Sequence, residues 1–142
     1  MYKISSGVAY SGGAMSALLA VLAIVDQSSA HWTRSDVATH YGSYGLHPDP
    51  NLLTTLLAVS FFCAALVFAL GGRSQSRGKK GTARALLITV AVCGLAFAAL
   101  ASLAAEYGGP VLVMVWRMLP WLVPAAAIAG LVAIKSPARK TV

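Results

Sequence analysis

The chain is predicted to be an all-α membrane protein, an antiparallel bundle of four transmembrane helices. Three observations predict this. Of its 142 residues, 58% are hydrophobic and only 11% charged, where a soluble domain carries about 25% charged residues. The apolar residues gather in four long runs, 7–25, 52–70, 85–105 and 115–134. Each is near the roughly 20 residues that cross about 30 Å of hydrocarbon as a helix. Charge, finally, sorts by side. All four acids (Asp26, Asp36, Asp49, Glu106) fall in the connections 26–51 and 106–114. Lys3, Arg73, Arg77, Lys79, Lys80, Arg84, Lys135, Arg139 and Lys140 fall in the N-terminus, the 71–84 loop and the C-terminal tail. Only Arg34 and Arg117 of the eleven basic residues break the pattern. Basic residues stay on the cytoplasmic side of short loops, so both termini are expected inside. The net charge of +7 is then a topological bias toward anionic lipid, not a sign of nucleic-acid binding. Residues 1–142 are expected to form one four-span domain in the cell membrane.

The first run is longer than the core of a usual signal peptide, so it is expected to be retained as a span. It begins with small residues, Gly7, Ala9, Gly12, Gly13, Ser16 and Ala17. Gly13–Ala17 and Gly12–Ser16 are small-xxx-small pairs that let helices approach closely in lipid. In the outer loop 26–51, Ser35 to Tyr41 is expected to form a short interfacial helix, with Ser35 as N-cap and Asp36 in its first turn. Asp49 is the expected N-cap of the second span, with Pro50 at its first helical position. The basic 71–84 loop, with glycine and serine, is expected to be a flexible hairpin connection whose Arg73, Arg77, Lys79, Lys80 and Arg84 meet lipid headgroups. The third run carries Val90, Gly94, Ala98 and Ser102 at helical spacing, the best candidate for a close helix contact. In the fourth run Pro120 and Pro124 each remove a backbone donor and can kink the helix.

Groups able to do acid–base or metal chemistry concentrate outside the spans. His31, Asp36, His40 and His47 are the candidate metal ligands, although their spacing matches no metal motif. They are expected to be solvated polar residues, and no cofactor is expected. Cys63 and Cys93 lie inside the second and third runs at similar depth, as packing residues rather than a redox pair. Arg117 is the ionisable group nearest a span interior. It is expected to form a structural ion pair with Glu106 or Asp26, or to snorkel to the headgroups.

The segment Tyr41-Gly42-Ser43-Tyr44-Gly45-Leu46-His47-Pro48-Asp49-Pro50-Asn51 before an apolar helix, with Glu106-Tyr107-Gly108 before the last one, resembles small four-helix membrane proteins of high-G+C Gram-positive bacteria. The resemblance implies a four-span fold in a bacterial inner membrane and no activity.

No acid, lysine or histidine lies at mid-span, where proton-coupled transporters usually place one. No phosphate-binding loop, nucleophile elbow or zinc motif is present. The expected function is that of a non-catalytic accessory or assembly subunit, with the bilayer and a protein partner or a second copy as its contacts. The alternatives are a transporter or channel component acting as an oligomer, and an outer-face metal- or quinone-binding protein using the histidine loop.

Overall fold

The computed structural model describes the backbone of residues 2–106, 109–110 and 112–135, and the side chains of 6–105 and 112–134. It is all-helical apart from one minimal β pairing. The helices are α1 (Tyr2–Val25), α2 (Trp32–Gly42), α3 (Pro50–Ser76), α4 (Lys80–Leu103), α5 (Met114–Met118) and α6 (Leu122–Lys135). A π-helical turn (Asp26–Ala30) follows α1, and a 3₁₀ turn (Leu119–Trp121) joins α5 to α6. Four segments are long and apolar enough to cross a membrane: Ser6–Ala30, Pro50–Ser76, Lys80–Leu103 and Met114–Ile134.

Along α1 the small residues Ser6, Ala9, Gly12, Ser16, Ala20 and Ala23 are buried at helical spacing, with Leu19 beside them. The opposite face, Leu18, Val21 and Ile24, is exposed. The small face packs mainly on α3. A Cβ on Gly12 would lie 2.7 Å from Cε1 of Phe68, and one on Gly13 would lie 3.4 Å from the Ala65 carbonyl oxygen. The expected Gly13–Ala17 pairing is therefore half right. Gly13 is in the contact, but Ala17 is exposed. Ser16 takes the buried place because successive residues turn about 100° around a helix.

The Asp49 carboxylate accepts from the Asn51 N–H at 2.9 Å, and Pro50 opens α3. This is the N-cap arrangement expected. The 71–84 segment differs from expectation. α3 continues to Ser76 and α4 begins at Lys80, so the connection is only Arg77–Lys79, with Gly78 at φ +76°. Gly71 and Gly72 are buried within α3. A Cβ on Gly72 would meet the Tyr10 ring at 3.0 Å. These glycines serve close packing between helices, not loop flexibility.

α4 packs on both α3 and α6, and α6 also touches α1. A Cβ on Gly94 would lie 3.2 Å from Cδ of Pro124, so the glycine admits the proline ring of α6. Ala98 is fully buried on the same stripe. Beyond α4, Ala105 and Glu106 pair antiparallel with Pro110 and Gly109. The 3₁₀ turn falls where Pro120 withholds its N–H from the helical ladder.

α2 is longer than expected and starts earlier. It begins at Trp32, so Ser35 lies inside it and donates to the Trp32 carbonyl at 2.9 Å. Its buried residues, Thr33, Val37 and Tyr41, share one face, and α2 contacts α3.

Candidate functional site

The most specific polar chemistry centres on Asp26, which is 1% exposed. It opens the π turn that ends α1. The chain then reverses through His31, whose φ of 56° is left-handed and whose N–H donates to the Asp26 carbonyl at 2.7 Å. This conformation is uncommon outside glycine. It returns Thr33 to the Asp26 side chain. The Thr33 N–H donates to Oδ1 at 3.1 Å and its hydroxyl to Oδ2 at 2.5 Å. Asp26 thereby caps the first turn of α2 from outside that helix, the task sequence spacing had suggested for Ser35. Oδ2 also accepts from Nε1 of Trp116 at 2.7 Å. The Trp116 ring is fully buried and lies 6.2 Å from the Phe61 ring, centroid to centroid. One carboxylate thus ties the end of α1, the start of α2 and helix α5. A buried carboxylate is costly unless hydrogen-bonded, and these three donors supply the compensation.

Arg117 does not pair with Asp26. Its Nε donates to the Ser102 carbonyl at 3.3 Å, and the Ser102 hydroxyl donates to the Arg117 carbonyl at 2.8 Å. Trp121 completes the cluster, donating from Nε1 to Oγ of Ser102 at 2.8 Å. The reason for the difference is geometric. Trp116 and Arg117 are adjacent and point about 100° apart, so only one can face Asp26. The buried place goes to the indole, which needs one acceptor. The side chain of Glu106, the other expected partner, lies outside the described residues. Sequence reasoning missed Trp116 and Thr33 as partners of Asp26. The available signal was that a buried tryptophan N–H requires an acceptor and that Asp26 sits at a span end.

Ser102, expected only as a small packing residue, is a polar junction between α4 and the start of the last span. Ser102→Ala is expected to destabilise by about 1–2 kcal/mol, since two side-chain bonds are lost. Ser11→Ala, which removes only a bond to the Gly7 carbonyl of its own helix, is expected to change stability by under about 0.5 kcal/mol. Denaturant titration in detergent micelles compares the two.

The other candidates are dispersed. Among the described residues, no three of His, Cys, Asp or Glu gather in a way that could hold a metal ion. His31 sits at the α2 start, Asp36 is half-buried within α2, and His40 meets Tyr41 edge-on at 4.9 Å. His47 lines a separate cleft of about 220 Å³ with Arg34 and Asp49. Arg73, Arg77, Lys79, Lys80 and Arg84 are all exposed around the α3–α4 turn.

Cys63 and Cys93 do meet a common feature. Both line an apolar groove of about 390 Å³ between α3, α4 and the start of the last span. Phe61, Val67 and Phe97 form much of its wall, and Pro120 and Val123 close one side. The Thr89 hydroxyl, also in the lining, donates to the Ala85 carbonyl of its own helix at 3.1 Å.

No protein-family model, curated protein or solved structure matches this chain.

Proposed function

We propose that this protein is a non-catalytic integral membrane protein that serves as an accessory or assembly subunit of a larger complex in a bacterial inner membrane. In this reading its four spans form an antiparallel bundle with both termini cytoplasmic. α2 lies along the outer membrane surface, and the α3–α4 turn meets inner headgroups. The observation that carries the reading is the use made of Asp26 and Arg117. The Asp26 carboxylate is spent on neighbours within the chain, and Nε of Arg117 donates to the Ser102 carbonyl, so polar groups near the span ends fasten helices together. The exposed surface of the spans is mostly apolar, with Leu56, Val59, Phe62 and Leu66 exposed along α3. Such a surface suits lateral contact with lipid and with other spans.

Affinity purification from the native membrane in mild detergent, followed by mass spectrometry, tests this. A stoichiometric membrane partner is the expected result. A chain that purifies alone, or only with copies of itself, contradicts it. Orientation is checked separately by placing single cysteines at Ser43 and Ser76 in a chain lacking Cys63 and Cys93. A membrane-impermeant maleimide added to intact cells should label the first and not the second.

A further inference from the structure

We propose that the α3–α4 hairpin holds one anionic phospholipid, its headgroup on the basic turn and the end of an acyl chain in the groove above. Two features of the same hairpin point to this occupant. The first is charge. Arg73, Arg77, Lys79, Lys80 and Arg84 fall within twelve positions with no acid among them, and all are exposed. Clusters of this size beside a span attract anionic lipid. The second is the groove. Its lining is almost wholly apolar, and Cys63, Thr89 and Cys93, which edge it, are exposed although they lie within the spans. What these residues are exposed to at that depth is hydrocarbon.

Helical register connects the two features. On α3 the groove line through Ser60, Ala64 and Val67 continues as Gly71 and Ser74, and on α4 the line through Phe97, Cys93 and Val90 continues back to Leu86. Gly71 packs there against Leu86 and Leu87, so the lipid would run along the edge of this helix contact to the turn, where Arg77 and Lys79 flank Gly78. The depth also fits. Ten positions separate Lys79 from Thr89 and eighteen separate it from Phe97, about 15 and 27 Å by helical rise. One leaflet with its headgroups is about 21 Å thick. A lipid whose phosphate meets the turn therefore reaches the groove with the far part of its chain. The inference rests on the membrane reading of the spans, not on the accessory role.

The test uses the purified full-length chain in vesicles of equal parts phosphatidylglycerol and phosphatidylcholine. One of the two lipids at a time carries a photoactivatable diazirine near its chain end, and crosslinks are mapped by peptide mass spectrometry. At the peptides holding Cys63 and Cys93, the phosphatidylglycerol probe should exceed the phosphatidylcholine probe by at least about tenfold. At the exposed α1 face around Leu18 and Val21 the two should agree within about twofold, as for bulk lipid. Combining Arg77→Gln, Lys79→Gln and Arg84→Gln should lower the preference at least several-fold. Ala64→Trp, which fills the groove, should lower crosslinking there while leaving the α1 signal unchanged. Equal crosslinking by the two probes at the groove of the unaltered chain overturns the proposal, whatever the variants do. So does a groove occupied by a second copy, seen as loss of both probes' adducts at these peptides together with a disulfide between Cys63 or Cys93 of two chains when a mild oxidant is added to the vesicles. Because no partner protein is present, either outcome is independent of whether the chain belongs to a larger complex.

Discussion

Trp116→Ala is expected to destabilise the protein by about 4 kcal/mol, the middle of the range for removing a buried aromatic. Two losses combine. The ring is fully buried against Phe61, and its removal leaves a cavity that neighbouring helices cannot fill without moving. Its indole N–H is also a donor to Asp26, so the variant strips one of three bonds from a buried carboxylate. Trp116→Phe separates the terms. It keeps most of the ring and loses the donor, and about 2 kcal/mol is expected. Denaturant titration in detergent measures both, and similar values for the two variants would show that packing contributes little at this position.

Phe68→Ala is the second large effect, at about 3 kcal/mol. Phe68 is fully buried in the α1–α3 contact, with its ring against Gly12 and its Cβ against Gly13. In lipid there is no hydrophobic drive for two helices to associate, so close packing carries the contact. The expected loss is therefore mainly dispersion and shape complementarity. The partner side of the contact gives a control. Gly12→Val should also destabilise, because even its Cβ would overlap the Phe68 ring. The double variant Gly12→Val with Phe68→Ala should recover part of the loss, since the new side chain enters the space vacated. Unfolding free energies that simply add would show that the two residues do not share a site.

Four helices long and apolar enough to cross a membrane were legible in the sequence because their signal is composition over about 20 residues, which no single contact alters. The N-cap at Asp49 and the first helical position of Pro50 were legible because capping is local chemistry. The length of α3 was not. Gly71 and Gly72 look like the start of a loop, yet Tyr10 and Leu87 pack against their bare backbone, a fact that depends on residues more than fifty positions earlier and fifteen later. The start of α2 was misplaced for a similar reason. Ser35 carries a good capping side chain, but Asp26 reaches back after the left-handed turn at His31 and caps the helix earlier. At the candidate site, its place in a span singled out Arg117, and charge suggested Glu106 or Asp26 as its partner; of these only the Asp26 side chain is among the described residues. What decided otherwise was a donor with no charge, the Trp116 indole, ninety positions away in the chain.

That Asp26 fastens the end of α1 to α5 through Trp116 is the claim on which the account of the candidate site depends. A double-mutant cycle tests it most directly. Asp26→Asn, Trp116→Phe and the double variant are unfolded by denaturant in the same detergent. The expected coupling is about 1.5–3 kcal/mol, the value for one hydrogen bond to a charged acceptor. The parallel cycle of Asp26→Asn with Arg117→Gln should be additive within about 0.5 kcal/mol. Additivity in the first cycle together with coupling in the second would contradict the account, and would return Asp26 to Arg117 as its partner.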